Sequence, residues 1–297
     1  MPLPAGLTSR ALRQDDAPAV TAVMAAEELA DVGEVAIELA DIVSDWQRPS
    51  FDLAASTLGV FDGTRLVGYA EQSGPDRADA AVEPAYHGRG IGTALADWLE
   101  QHARDAGSTV IGMPVPQDSP GDRFLAARGY GVRWTSWVLE LPAGAAIEPR
   151  PLPDGFRLRL AAPDDLRSVW TVVEDAFLEW SVRDREPFAD FEAKVVGRPG
   201  FEPWNLRVVV DADDAVVGVS SVVLADDCGY VDRLAVRKDL RGRGLAQALL
   251  ADSFGAARAH GAARSELGTD SRTGALSLYA KVGMTVTSTW VNRAIDL

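Results

Sequence analysis

An α/β architecture in two similar halves is predicted by three features of this 297-residue chain. A glycine loop, Arg241-Gly242-Arg243-Gly244-Leu245-Ala246, follows the apolar stretch from Tyr230 to Val236 and opens a helical pattern. A near copy, His87-Gly88-Arg89-Gly90-Ile91-Gly92, follows a weaker strand pattern ending at Val82. The spacing then repeats, with Gly88 and Gly242 lying 154 residues apart, as do Gly129 and Gly283. Upstream, the segment from Arg10 to Asp16 corresponds to that from Arg159 to Asp165 at an offset of 149, so five residues of loop separate the two registers. Two copies are too few for a solenoid and point to a duplicated domain.

Each element follows from local pattern, and the second half is the clearer. Residues 156–160 alternate as a strand, and Pro163-Asp164-Asp165 marks a helix start before Val169, Trp170, Val173 and Phe177 recur at helical spacing. Residues 206–210 and 216–224 flank Asp211-Ala212-Asp213-Asp214-Ala215 as a hairpin. After the glycine loop, Ala246, Leu249, Leu250, Phe254 and Ala257 mark one helix face, which ends near His260-Gly261. A short strand at 265–267, a helix at 274–282 and a closing strand region at 285–295 complete it. The first half repeats the order: a strand near 7–10, a helix after Asp16, a hairpin through Asp62-Gly63, the loop, and a helix with Leu95, Trp98 and Leu99. A strand at 110–113 and a helix ending at Gly129 follow.

A chain longer than roughly 250 residues usually splits into separate cores. The expected seam is the proline-rich run from Leu141 to Pro153. It gives domains at 1–141 and 154–297 with a linker at 142–153.

Composition narrows the class: 47% hydrophobic and 25% charged residues are globular values. No apolar run nears the roughly 18 residues of a membrane span, and Met1-Pro2-Leu3-Pro4 lacks a basic-then-apolar leader, so a cytoplasmic protein without a membrane partner is expected. One cysteine, Cys228, fits a reducing compartment, and His87, His102 and His260 are scattered, so no metal site is indicated. A net charge of −15 argues against nucleic acid and would attract a cationic acceptor, or else serves only solubility.

The loops carry the chemistry. Glycines let consecutive N–H groups converge on a phosphate, and the positive end of the following helix adds to the field. Their spacing, G-x-G-x-G or G-x-G-x-A, does not suit a dinucleotide fold, and no G-K-[ST] triplet marks a nucleoside-triphosphate loop. The run from Val236 to Ala246, followed about thirty residues later by that from Ala275 to Met284, resembles the GNAT acetyltransferase superfamily. The duplication is similar to that of its tandem-domain members. The resemblance implies two GNAT-like domains, each a mixed, mostly antiparallel sheet flanked by helices.

It further implies an acetyl-coenzyme A site in which main-chain N–H groups of Arg241, Gly242, Arg243, Gly244, Leu245 and Ala246 hold the diphosphate, with Arg241 and Arg243 adding charge. The main chain around Leu234 and Val236 would bond the pantetheine arm. Tyr279 takes the position of the proton donor to the departing thiolate, or else simply packs against the sheet. Asp232, a carboxylate inside an apolar strand, would serve as general base through water, or else pair with Arg233. Cys228 offers a covalent alternative, though no histidine lies near it in sequence. Shifting by 154 maps Tyr279 to Leu125, Asp232 to Ala78 and Arg241 to His87. The first domain is therefore expected to be catalytically silent, with Val82, His87, Gly88, Arg89, Gly90 and Gly92 either binding coenzyme A or persisting as a structural relic.

Glu174, Asp175, Glu179, Asp184 and Glu186, interspersed with Trp180 and Phe188, form either an acidic acceptor lining or a solvated face. Glu27, Glu28, Asp31 and Glu34 at a comparable place in the first half favour the solvated face. The expected function is acetyl transfer from acetyl-CoA to a primary amine of a small molecule by direct attack within a ternary complex. The alternative is a non-catalytic acyl-CoA-binding or sensing protein. Oligomeric state is not encoded in these patterns.

Overall fold

Each half opens with the same device. The Arg10 guanidinium donates to Asp16 at 2.7 and 2.8 Å, and Arg159 to Asp165 at 2.5 and 3.2 Å. Each aspartate also accepts from the main chain three residues back, Asp16 from Arg13 and Asp165 from Ala162. That closes a short 3-10 turn and launches the first helix. The computed structural model describes residues 3–148 and 151–297; Met1-Pro2 and, within the expected linker, Pro149-Arg150 lie outside the described residues.

The first half runs β1 (Leu7–Arg10), α1 (Ala17–Asp31), α2 (Leu39–Trp46), α3 (Leu53–Ser56), β2 (Thr57–Asp62), β3 (Arg65–Gly74), β4 (Arg77–Val82), α4 (Ile91–Asp105), β5 (Val110–Pro116), α5 (Pro120–Ala127) and β6 (Gly131–Glu140). The second runs β7 (Arg157–Leu160), α6 (Leu166–Phe177), α7 (Phe188–Val195), β8 (Leu206–Val210), β9 (Val216–Ala225), β10 (Cys228–Val236), α8 (Leu245–Ala259), β11 (Arg264–Asp270), α9 (Leu276–Lys281) and β12 (Thr285–Asp296).

Two compact units result, and their membership crosses the sequence halves. Unit 1 holds residues 3–135 together with Thr289–Leu297, and unit 2 holds Ser136–Ser288. Strand order in unit 1 is β1-β2-β3-β4-β5-β12, and in unit 2 it is β6-β11-β10-β9-β8-β7. Within these orders, β4–β5 and β10–β11 are parallel and the other printed pairings antiparallel. The last strand of each sequence half thus completes the other unit: Trp290 to Asp296 pair with Pro116 to Val110, and Ser136 to Glu140 with Asp270 to Glu266. In unit 1 the incoming strand is tied down by Arg293, which bonds the buried Asp122 carboxylate and donates to Tyr130 O at 2.9 Å. Alternation along β6 and β12 specifies a buried face but not a partner strand, so the halves 1–141 and 154–297 could not reveal this exchange.

Alternate residues feed two apolar layers in each unit. In unit 1, Phe61, Tyr69 and Ala81 pack with α1 and α2, whereas Val60, Val67 and Ala70 pack with α4 and α5. In unit 2, Val208 and Val210 face α6 and α7, while Val209 and Val217 face α8. Ile147, from the expected linker, is buried in the unit 2 layer beside Leu141 and Tyr279. Among the described residues, no helix is long and apolar enough to cross a membrane.

Candidate active site

Strands β10 and β11 are paired only where Cys228 to Val231 meet Arg264 to Leu267. Against β9, Val231 faces Val222 but Arg233 faces Ser221, so Asp232 is an extra, bulged residue. A bulge bends its strand and sharpens the twist, which turns residues 232–236 away from β11. Further along, Arg237 N donates to Val217 O at 2.9 Å. The antiparallel alternation then puts Leu234 and Val236 in the non-bonded pairs with Ser220 and Gly218. Their main-chain groups point away from β9 into the opening.

The opening leads to the glycine loop. Gly242 and Gly244 sit at φ +76° and +85°, in the left-handed region that a side chain disfavours, and nothing lies within 4 Å of a Cβ built on either. Among the described residues, none of the six consecutive N–H groups from Gly242 to Gln247 has an acceptor. Unsatisfied donors at the start of a 15-residue helix have the geometry and field that suit an anion such as a diphosphate. The main-chain edge at Leu234 and Val236 is suited to amide-bearing pantetheine, so the residues present fit an acyl-CoA.

A cavity of about 650 Å³ lies beside this edge. One face of α6 lines it, through Ser168, Thr171, Val172, Asp175 and Ala176, opposite Val236, Arg237, Lys238 and Arg241. Arg241 donates its Nε to Val236 O at 3.0 Å and both terminal nitrogens to Glu179 at 3.0 and 2.7 Å, while Lys238 lies 3.3 Å from the same carboxylate. These bonds, Arg241 foremost, hold the Glu179 carboxyl below its ordinary pKa. Of this lining, sequence reasoning named Asp175 and Glu179 and missed Arg237, Lys238 and the rest of the α6 face, although residues 168, 171, 172, 175, 176 and 179 have the spacing of a single helix face.

The acidic segment is internally neutralised. Glu174 is buried, and although burial pushes its pKa up, Arg183 at 2.8 and 2.7 Å and the Glu186 amide at 2.8 Å hold it below the usual range. Asp175 pairs with Arg185 and Glu186 with Lys194. Arg272 covers the Trp180 ring and Arg167 the Phe188 ring. These charges mainly order the segment after α6.

Tyr279 on α9 is 7% exposed, in the same apolar layer against which Leu234 packs. Burial pushes its hydroxyl up to about 12, so it is protonated at neutral pH. Asp232, at the bulge, is exposed and paired with Arg233. Cys228 is buried, and burial followed by the neighbouring Glu266 raises its thiol to about 12, far from a thiolate nucleophile. The cavity brings Val236 and Arg241 together; Asp232 and Tyr279 are not part of its lining.

Residues 22–130 and 167–284 both match the model of the acetyltransferase (GNAT) family. The chain belongs to the GNAT family. It is an acyltransferase of tandem type that uses acyl-CoA as cosubstrate. A mycothiol acetyltransferase of Clavibacter michiganensis subsp. michiganensis is 29% identical over 286 residues, covering 89% of this chain and 92% of that protein. A GCN5-related N-acetyltransferase from Sphaerobacter thermophilus superposes with a TM-score of 0.75 at 25% identity, over 99% and 97% of the two chains. A tandem GNAT protein from the clavulanic acid biosynthesis pathway shares the fold, with a TM-score of 0.74 at 20% identity over 98% of each chain.

The first GNAT repeat presents the same edge in different form. Its extra residue, Ser73, sits on β3 rather than on β4. Glu83 N donates to Val67 O, so Val82 likewise points its main chain away from β3. Here Val82 N lies 3.5 Å from Glu27 Oε1, and His87 Nε2 donates to Val82 O at 2.9 Å, as Arg241 Nε does to Val236 O in the second repeat. Beyond them, the N–H groups of Gly88, Arg89, Gly90, Ile91, Gly92 and Thr93 lack acceptors among the described residues.

Proposed function

We propose that unit 2 transfers an acetyl group from acetyl-CoA to a primary amine of a small molecule, by direct attack within a ternary complex. The reading rests foremost on the six acceptor-free N–H groups, Gly242 to Gln247, at the end of the opened β10 edge. Arg243, and Arg241 once released from Glu179, add charge to that cradle, and Leu234 and Val236 supply main-chain partners for the arm. The cosubstrate supplies an acyl carbon already activated as a thioester. A neutral amine forms the new C–N bond as the C–S bond breaks. Asp232 takes up the amine proton through water, because an exposed carboxylate beside Arg233 is too weak a base for direct abstraction. Tyr279 gives its hydroxyl proton to the departing sulfur, for which its protonated state at neutral pH is suited.

The similarity to a protein named mycothiol acetyltransferase makes the de-acetylated form of mycothiol the first acceptor to try. Thiol release measured over a panel of amines that includes this compound tests the reading. Tyr279→Phe should lower kcat by about a hundredfold while leaving coenzyme A binding unchanged. Full activity in that variant removes the acid role, and failure of every amine removes the acceptor class.

A further inference from the structure

Glu27 and Ala176 occupy equivalent positions, each eleven residues beyond the aspartate that opens its helix, Asp16 or Asp165. What they do at the strand opposite is different. Ala176 lines the cavity beside Val236 and brings no acceptor to Val236 N, while Arg241 Nε holds Val236 O as His87 Nε2 holds Val82 O. Glu27 extends its carboxyl onto the corresponding edge, where Oε1 meets Val82 N at 3.5 Å and stands 4.0 Å from His87 Nε2. A pantetheine carbonyl needs the main-chain N–H that Glu27 occupies in unit 1; the carbonyl beside it is held by a loop side chain in both units.

We propose that this one helix position decides which unit holds acyl-CoA: Glu27 stoppers the groove of unit 1, and Ala176 keeps that of unit 2 open. The proposal rests on the reading that unit 2 binds acyl-CoA. The stopper is set in place by its surroundings. Glu27 is 27% exposed on its side chain, with Glu28 and Asp31 on its own helix and His87 on the facing loop. Burial is the main cause that pushes its carboxyl up to about 8, so at neutral pH it is largely uncharged and does not need solvent or a cation in the groove. An uncharged carboxyl can remain against a strand edge where a carboxylate would be expelled. The free N–H groups of Gly88 to Thr93 are thereby left without the groove that should continue from them.

Calorimetric titration of the full chain with coenzyme A separates the two claims. Wild type should bind one equivalent per chain, Glu27→Ala two, and Ala176→Glu none or at least tenfold more weakly, with its thermal melting cooperative. Zero equivalents in wild type sinks the reading of unit 2, and the proposal with it. Two equivalents in wild type, or one in Glu27→Ala, overturns the stopper alone. If Glu27→Ala fails to fold, Ala176→Glu decides by itself, since undiminished binding there shows that a carboxylate at this position does not close the groove.

Discussion

Arg241 grips Glu179 with both terminal nitrogens, at 3.0 and 2.7 Å, across the cavity mouth of unit 2. The carboxylate engages a cation of the glycine loop that a diphosphate would otherwise attract. Entry of a phosphate-bearing ligand therefore competes with an internal anion. Glu179→Gln should tighten coenzyme A binding by about two- to fivefold, the scale of an exposed ion pair. Titration at low and high salt checks it, and weaker or unchanged affinity means that Glu179 does not compete.

Gly244 tests the loop geometry rather than its space. Its φ of +85° disfavours any L side chain, yet no atom lies within 4 Å of an added Cβ. Gly244→Ala should therefore cost about 1–2 kcal/mol or force the loop to another shape. The KM for acyl-CoA should rise tenfold or more, with a smaller change in the amine KM. Equal changes in both would assign the loop a purely structural part.

Glu71 carries a pH signature in unit 1. Trp46 Nε1 donates to it at 2.8 Å, Asp79 is its register partner, and burial, then Asp79, pushes its pKa from 4.5 to about 8. A carboxyl raised in the folded state stabilises the fold fully below the unfolded pKa and loses that contribution as pH climbs to the folded one. Stability should fall by about 1.4 kcal/mol per pH unit from this group between pH 4.5 and 8. In Glu71→Gln the drop in Tm from pH 5 to pH 8 should be smaller than in wild type. An equal drop would mean that Glu71 is ionised throughout.

Arg293 probes the exchanged strand. Its partner Asp122 is buried, and loss of the guanidinium strands that carboxylate without its cation. Arg293→Met should destabilise unit 1 by about 3–5 kcal/mol. Hydrogen exchange should show the loss in β5 and α5, which precede residue 293 by well over a hundred positions in sequence. Protection lost only in unit 2 would contradict the pairing of β12 with β5.

Much of the site was legible in the chain because backbone requirements are written in residue type. Gly242 and Gly244 announce left-handed turns, and Tyr279 stands at a motif position. The cavity was harder to see: Arg237 and Lys238 look like ordinary loop cations until α6 is laid across them. Asp232 reads as an anomaly in an apolar strand, and only the register with β9 shows that it is the bulged residue.

By itself, the sequence determined two GNAT-type repeats, the order of their elements and the two glycine loops, since periodicity and glycine placement act within a few residues. Tertiary structure alone decided that β6 and β12 trade sheets, because alternation chooses a face and leaves the partner strand to long-range pairing. It also decided that Glu27 reaches Val82 N while Ala176 brings no acceptor to Val236 N. A glutamate on a helix reads the same in sequence whether it meets water or a strand amide, and only the packing of the helix against the sheet distinguishes the two.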